Sequence, residues 1–266
     1  MSDAPFAKKS LGQHWLHDQA SLEAMCTAAE VSQNDTVLEI GPGLGTLTDL
    51  LTKRVGHVIA VELDKILAAN LPGKLKAPNL EVVNADILSF DFTSLPPGYK
   101  VVANIPYYLT GHLLRTLSET ANPPHSATLL VQKEVARRLN AAPGDMSLLS
   151  VTVQFYWQVD LGREVPAKLF MPPPKVDSQI VVLTRRQKPL FPGLDEAKFF
   201  RIIKAAFSQR RKTLLNTLSS GLQLERDLTR NVCQSAGIDP GRRAQTLSLN
   251  DWYKLYNALM LDALSV

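Results

Sequence analysis

The sequence predicts an α/β protein: a doubly wound, mainly parallel sheet over residues 1–187, then a small all-helical domain over 188–266. Three observations carry this. Short apolar runs alternate with helix-length segments over the first two thirds of the chain. The string 187–193, with two prolines, interrupts the alternation. Beyond it, each periodic segment reads as helix.

Thr36–Ile40, His57–Glu62, 80–83, 100–103 and 127–131 are near-continuous apolar runs, as strands covered on both faces require. Helices are expected between and after them at 44–54, 65–71, Thr110–Glu119 and Lys133–Leu139. The β-branched stretch 176–184, after Pro172-Pro173-Pro174, reads as a closing strand. The segment 147–157 stays open: its valines and Thr152 favour strand, while its length tips it toward helix. The C-terminal helices are expected at Glu196–Phe207, 211–219, 224–236 and 250–261.

Bulk composition narrows the function classes. At 266 residues, 45% hydrophobic and 20% charged, the chain has an ordinary globular composition, and its longest apolar runs fall far short of a membrane span. No apolar leader precedes Lys8-Lys9, and Cys26 and Cys233 lie far apart without metal-ligand spacing. A cytoplasmic protein with two core thiols and no metal is the expectation, and a monomer, since no oligomer signature is visible. The net charge of +4 says little as an average. Its distribution says more: Lys198, Arg201, Lys204, Arg210, Arg211 and Lys212 fall in one stretch without an acid. Such a run is either a solvated surface or a surface for phosphates.

A candidate site emerges at the strand ends. The first run ends in Glu39-Ile40-Gly41-Pro42-Gly43-Leu44-Gly45, whose spacing fails the dinucleotide fingerprint that cradles a pyrophosphate. The second ends at Glu62, where an acid can accept from two ribose hydroxyls. The third ends in Asn84-Ala85-Asp86, where an Asp can accept from an adenine amine, and the fourth ends at Asn104. Singly, each is an ordinary loop acid or helix cap. In strand order on one sheet edge they describe a nucleoside pocket without phosphate recognition, which suits S-adenosylmethionine.

At this point the chain resembles the KsgA family, the rRNA adenine N6-dimethyltransferases of the small ribosomal subunit. The resemblance runs nearly end to end: Lys8-Lys9-Ser10-Leu11-Gly12-Gln13, then EIGPGLGTLT, VELD, NADIL, NIPYYLTG, VQKEV, PPPKVDS and FSQRRKTLLNTL. It implies a Rossmann-like S-adenosylmethionine-dependent methyltransferase domain with a helical C-terminal domain that binds the rRNA or subunit. It carries the cofactor contacts onto His14, Leu16, Gly41, Glu62, Asp86 and Asn104. The N-terminal motif departs from the common GQNFL, with His14 and Trp15 in place of Asn and Phe.

The resemblance also gives VVANIPYY a chemistry. Asn104 and the Ile105 carbonyl accept the N6 hydrogens of a flipped adenosine, Pro106 holds the turn, Tyr107 stacks on the base, and Phe170 supplies a second face. Arg210, Arg211 and Lys212 match the family's helical-domain motif and are expected to contact rRNA; Arg137, Arg138, Arg242 and Arg243 are candidates to extend that surface. The implied substrate is a pair of adjacent adenosines in the 3′-terminal hairpin of 16S rRNA, within an assembling 30S particle. Three rivals are weighed against this. A relative acting on large-subunit rRNA shares the NIPY and PKV elements. A non-catalytic assembly or transcription factor is disfavoured by the retained site residues. A nicotinamide dehydrogenase is disfavoured by the failed glycine spacing.

Overall fold

The computed structural model describes residues 11–263; Lys8, Lys9 and Ser10 of the N-terminal motif lie outside the described residues. In chain order the elements are β1 (Trp15–Leu16), α1 (Gln19–Ala28), β2 (Thr36–Ile40), α2 (Thr46–Thr52), β3 (His57–Glu62), α3 (Lys65–Leu75) and β4 (Leu80–Asn84). Next come β5 (Lys100–Asn104), α4 (Thr110–Glu119), β6 (Ser126–Gln132), α5 (Lys133–Leu139) and α6 (Leu148–Tyr156). The chain continues through β7 (Trp157–Val165), β8 (Phe170–Met171), β9 (Ser178–Arg185), α7 (Glu196–Phe207), α8 (Leu214–Leu222), α9 (Arg226–Ser235) and α10 (Leu249–Ala263).

The chain forms two compact units. The first comprises the described residues through Arg137 together with Trp157–Arg185, and the second Arg138–Tyr156 with the residues from Arg186 onward. The division expected at residue 187 differs in residues 138–156. Val151 and Phe155 of α6 explain the difference: they are buried in one core with Phe199, Ile203 and Trp252, and the Phe155 and Phe199 rings lie 5.3 Å apart.

In the first unit a seven-stranded sheet has the order β4-β3-β2-β5-β6-β9-β7. Pairing is parallel from β4 to β6; β9 runs antiparallel to β6, and β7 antiparallel to β9. β2 pairs with β3 on one side and β5 on the other, so the winding reverses between β2 and β5 and opens a crevice at their carboxyl ends. Helix starts flank it: Asp64 caps α3 by accepting the Ile66 N–H at 3.0 Å.

Residues 148–156 form helix α6, as the length of the segment suggests, and a strand with no clear period in the chain, β7, follows at Trp157. β7 is a sheet edge whose exposed residues include Asp160, Arg163 and Glu164, and its register shifts between Leu161 and Glu164. Charges and a bulge are what keep an edge from pairing with another chain, and they also erase the period-two signal. The ribbon of β1 with β8, two residues on each side, is likewise too short to leave a period in the sequence.

In the second unit, helices α6 to α10 surround a core that includes Leu214, Leu218, Val232, Cys233 and Leu255. α10 opens with a reciprocal cap: Ser248 N–H donates to Asp251, and Asp251 N–H donates to the Ser248 hydroxyl. The helix expected at 211–219 begins later, at Leu214, leaving Arg210, Arg211 and Lys212 in the turn after α7. Cys26 and Cys233 are buried in separate cores, as expected of core thiols. Among the described residues, no helix is long and apolar enough to cross a membrane.

Candidate active site

The strand ends converge on one cavity. Its wall contains His14, Leu16, Gly41, Glu62, Asp86, Asn104, Ile105, Pro106 and Tyr107, residues that the sequence had singled out, drawn from four strand ends and the N-terminal ribbon.

The glycine turn and the β3 acid form one hydrogen-bonded piece. The Gly43 N–H donates to Glu62 Oε2 at 3.0 Å, and the Asp64 N–H donates to Glu62 Oε1 at 2.8 Å. Gly43 has φ 55°, and a Cβ there would lie 3.1 Å from two atoms of the Trp15 ring. The loop and the indole therefore approach as closely as only glycine permits. Burial pushes the Glu62 carboxyl above the ordinary carboxylate range, against the pull of the two N–H donors. Asp86 is a cap as well as a wall: its Oδ1 accepts the Leu88 N–H at 2.9 Å.

Glu39, which no sequence pattern marks, also belongs to the wall. It is 1% exposed on β2, an interior strand of the sheet, where an apolar side chain would be expected. Burial pushes its carboxyl up to about 8, and the charge of Glu62 adds to the shift. Thr48 beside it works in the opposite sense, though neither Glu39 Oε2 nor the Thr48 hydroxyl completes a hydrogen bond of good geometry. Its one sequence signal is its own presence, an acid set within an otherwise apolar strand.

A pH dependence follows. The unfolded chain releases this proton near 4.5, whereas the folded protein holds it to about 8. Stability from this group is therefore full below about 4.5 and is lost as pH rises toward 8. Denaturant titrations at pH 6, 7 and 8 are expected to show the ligand-free protein losing stability relative to Glu39→Gln. Parallel pH slopes for the two proteins would refute it.

Around Asn104 the contacts come from distant parts of the chain. Asn104 Nδ2 donates to the His14 carbonyl at 3.1 Å, which leaves Oδ1 as the acceptor of the amide. The Tyr107 hydroxyl lies 2.8 Å from the Ser178 hydroxyl, and burial raises its phenol pKa. The His14 ring stacks on Tyr107 with centroids 5.8 Å apart and 22° between planes. Its Nδ1 is 2.7 Å from the Pro172 carbonyl, a pure acceptor, so Nδ1 carries the hydrogen. Within this arrangement only Nε2 of the His14 ring remains for a ligand.

Phe170 stands apart. It is 4% exposed, pairs with Leu16 across the ribbon, and packs in the core with Leu16, Leu22 and Ile180; it is not part of the cavity wall. The second stacking face expected of it is therefore a core side chain in this structure. Phe170→Ala is expected to cost about 3–5 kcal/mol of stability through the cavity it leaves, measurable by denaturant unfolding. A variant as stable as the wild type would show that the ring is not held in the core.

In the second unit, Arg210, Arg211 and Lys212 are all exposed, and none enters an ion pair among the described residues. Arg242 differs: it donates to Thr246 Oγ1 at 3.1 Å and to the Thr246 carbonyl, and lies 3.8 Å from Asp251. Its guanidinium is occupied in joining the last turn to α10, which explains its place without RNA. Arg137, Arg138 and Arg243 are exposed.

The residues fit S-adenosylmethionine. A Cβ built on Gly41 meets nothing within 4 Å, so the turn leaves open space against its main chain. Glu62 and Asp86 offer oxygen acceptors to ribose hydroxyls and an exocyclic amine, while Leu63, Ile87 and Leu88 give the apolar walls a purine needs. A switch-point cavity on a mainly parallel sheet, rich in acids and lacking the phosphate fingerprint, defines a Rossmann-like S-adenosylmethionine-dependent methyltransferase.

Similar proteins agree. A dimethyladenosine transferase from Plasmodium falciparum superposes with TM-score 0.78 at 26% identity, covering 95% of this chain and 99% of that one. The 23S rRNA methyltransferase ErmE superposes with TM-score 0.76 at 30% identity, covering 92% and 99%. A ribosomal RNA small subunit methyltransferase A of Dehalococcoides mccartyi (strain CBDB1) is 45% identical over 253 residues, 94% of this chain and 87% of that protein. The ribosomal RNA adenine dimethylase profile matches residues 6–260, and the chain belongs to that family.

Proposed function

We propose that this enzyme transfers methyl groups to N6 of two adjacent adenosines in the 3′-terminal hairpin of small-subunit rRNA, within an assembling 30S particle, acting as a cytoplasmic monomer. The observation that carries the reading is Asn104: its amide nitrogen is held by the His14 carbonyl, so its oxygen is the group left to meet an adenine amine. The choice of subunit is supported by the 45% identity to a small-subunit relative, against 30% to the 23S enzyme.

An adenine N6 is a poor nucleophile because its lone pair is delocalised into the ring. Asn104 Oδ1 and the Ile105 carbonyl accept the N6 hydrogens, which favours a more tetrahedral nitrogen with its lone pair directed outward. Pro106, at φ −57°, holds the turn that presents the carbonyl. Tyr107 stacks on the flipped base, its ring steadied by His14 and Ser178. S-adenosylmethionine supplies an electrophilic methyl, and its sulfur takes up the electron pair of the broken bond. Orientation is thus the main contribution of the protein. The N6 ammonium formed is acidic and yields its proton to water, so no side-chain base is needed. In the second transfer only one N6 hydrogen remains, and a single acceptor suffices. His14, through Nε2, together with Leu16, Gly41, Glu62, Asp86 and Asn104, holds the cofactor.

The test is a tritiated S-adenosylmethionine assay on undermodified small subunits, large subunits and naked rRNA in parallel. Label as N6,N6-dimethyladenosine in small subunits alone is the expected result. Label in large-subunit rRNA overturns the choice of subunit, and no label anywhere overturns the activity.

A further inference from the structure

The second aromatic of Tyr107-Tyr108 is not used by the mechanism above. We propose that Tyr108 is a stacking platform for the nucleobase adjacent to the target adenosine, so that consecutive tyrosines receive consecutive bases; this rests on the RNA methyltransferase reading.

The short helical turn Tyr107–Leu109 separates its three side chains. Tyr107 turns inward to Ser178, and Leu109 is buried. Tyr108 turns out to the rim of the cavity, where it is 59% exposed. It is the one aromatic among the exposed large apolar side chains of the described residues. No other ring pairs with it among those residues, whereas its neighbour is stacked by His14.

The ring is also backed by main chain. A Cβ at Gly12 would lie 3.3 and 3.4 Å from Tyr108 Cδ1 and Cε1, and Gly12 has φ 60°. A residue without a side chain there lets the tyrosine lie against the backbone, which limits its freedom before any ligand arrives. An exposed ring, supported from behind and placed beside a pocket for a flat base, suits a second flat base.

The occupant follows from the reaction. Flipping an adenosine into the Tyr107 slot removes a stacking partner from its neighbour in the strand. Tyr108 replaces that partner. Because every base has a π-face, the contact adds affinity with little discrimination among bases.

The test is kinetic, on undermodified small subunits. Tyr108→Ala is expected to raise the KM for subunits about tenfold, the size of one lost base stack, with kcat at saturation, the cofactor Kd and the melting temperature unchanged. Tyr108→Trp restores the KM, and Tyr108→Leu, apolar without a π-face, does not. An unchanged KM for the alanine variant overturns the proposal. So does a raised cofactor Kd, which would place the ring on the cofactor instead, or full rescue by leucine. A wild-type enzyme that labels neither subunit overturns the underlying activity, an outcome distinct from an active wild type and an unaffected variant.

Discussion

Asn104→Ala is expected to lower the rate of methyl transfer by about 10³-fold, while the Kd for S-adenosylmethionine changes little. The alanine removes the one acceptor oxygen that the His14 carbonyl leaves uncommitted, and with it the orientation of the attacking lone pair. Cofactor affinity should largely survive, because Glu62, Asp86 and the glycine turn are separate parts of the wall. Asn104→Asp sharpens the point. It keeps an acceptor but faces the His14 carbonyl with oxygen instead of an N–H, so its activity should fall between wild type and alanine. Single-turnover assays with saturating cofactor, beside calorimetric Kd values, measure both effects. An alanine variant within a few-fold of wild type would remove the orientation argument.

The second large effect is expected from reversing two charges, Arg211→Glu with Lys212→Glu. Both residues are exposed in the turn before α8 and enter no ion pair among the described residues, so their replacement breaks no ion pair there. If both contact phosphates, the slope of log affinity against log salt should fall by about 2, and affinity for undermodified small subunits should drop at least tenfold at low salt. Cofactor affinity should stay the same, because the cavity wall belongs entirely to the other unit. Subunit binding measured at several salt concentrations decides the matter: an unchanged slope would return the turn to an ordinary solvated surface.

Much of this site was legible in the chain because its residues close local patterns. Glu62, Asp86 and Asn104 each follow an apolar run at or just past a strand end, and parallel sheets place such ends on one edge. The structure brings all three to one cavity. Glu39 was overlooked because a buried acid within an apolar strand has no local signature beyond its own presence. Phe170 misled because an aromatic before a proline-rich loop reads the same whether it faces a pocket or a core; pairing with Leu16 puts it in the core. Arg210, Arg211 and Lys212 are exposed in the turn after α7, and the helix expected from residue 211 starts at Leu214, the first side chain after them that the core buries.

The parallel strands, most helices and the order of residues on the sheet edge can be read from the chain alone. Those features depend on periodicity and on neighbours a few positions away, and the chain carries that information locally. Three-dimensional packing was needed to show that β7 completes the sheet, that α6 belongs with the C-terminal helices, and that Arg242 is committed to Thr246. It alone joined His14 to Pro172 and Asn104 to His14, contacts that span 158 and 90 residues. Contacts of that range follow from long-distance register and packing, which leave no period in the chain to read.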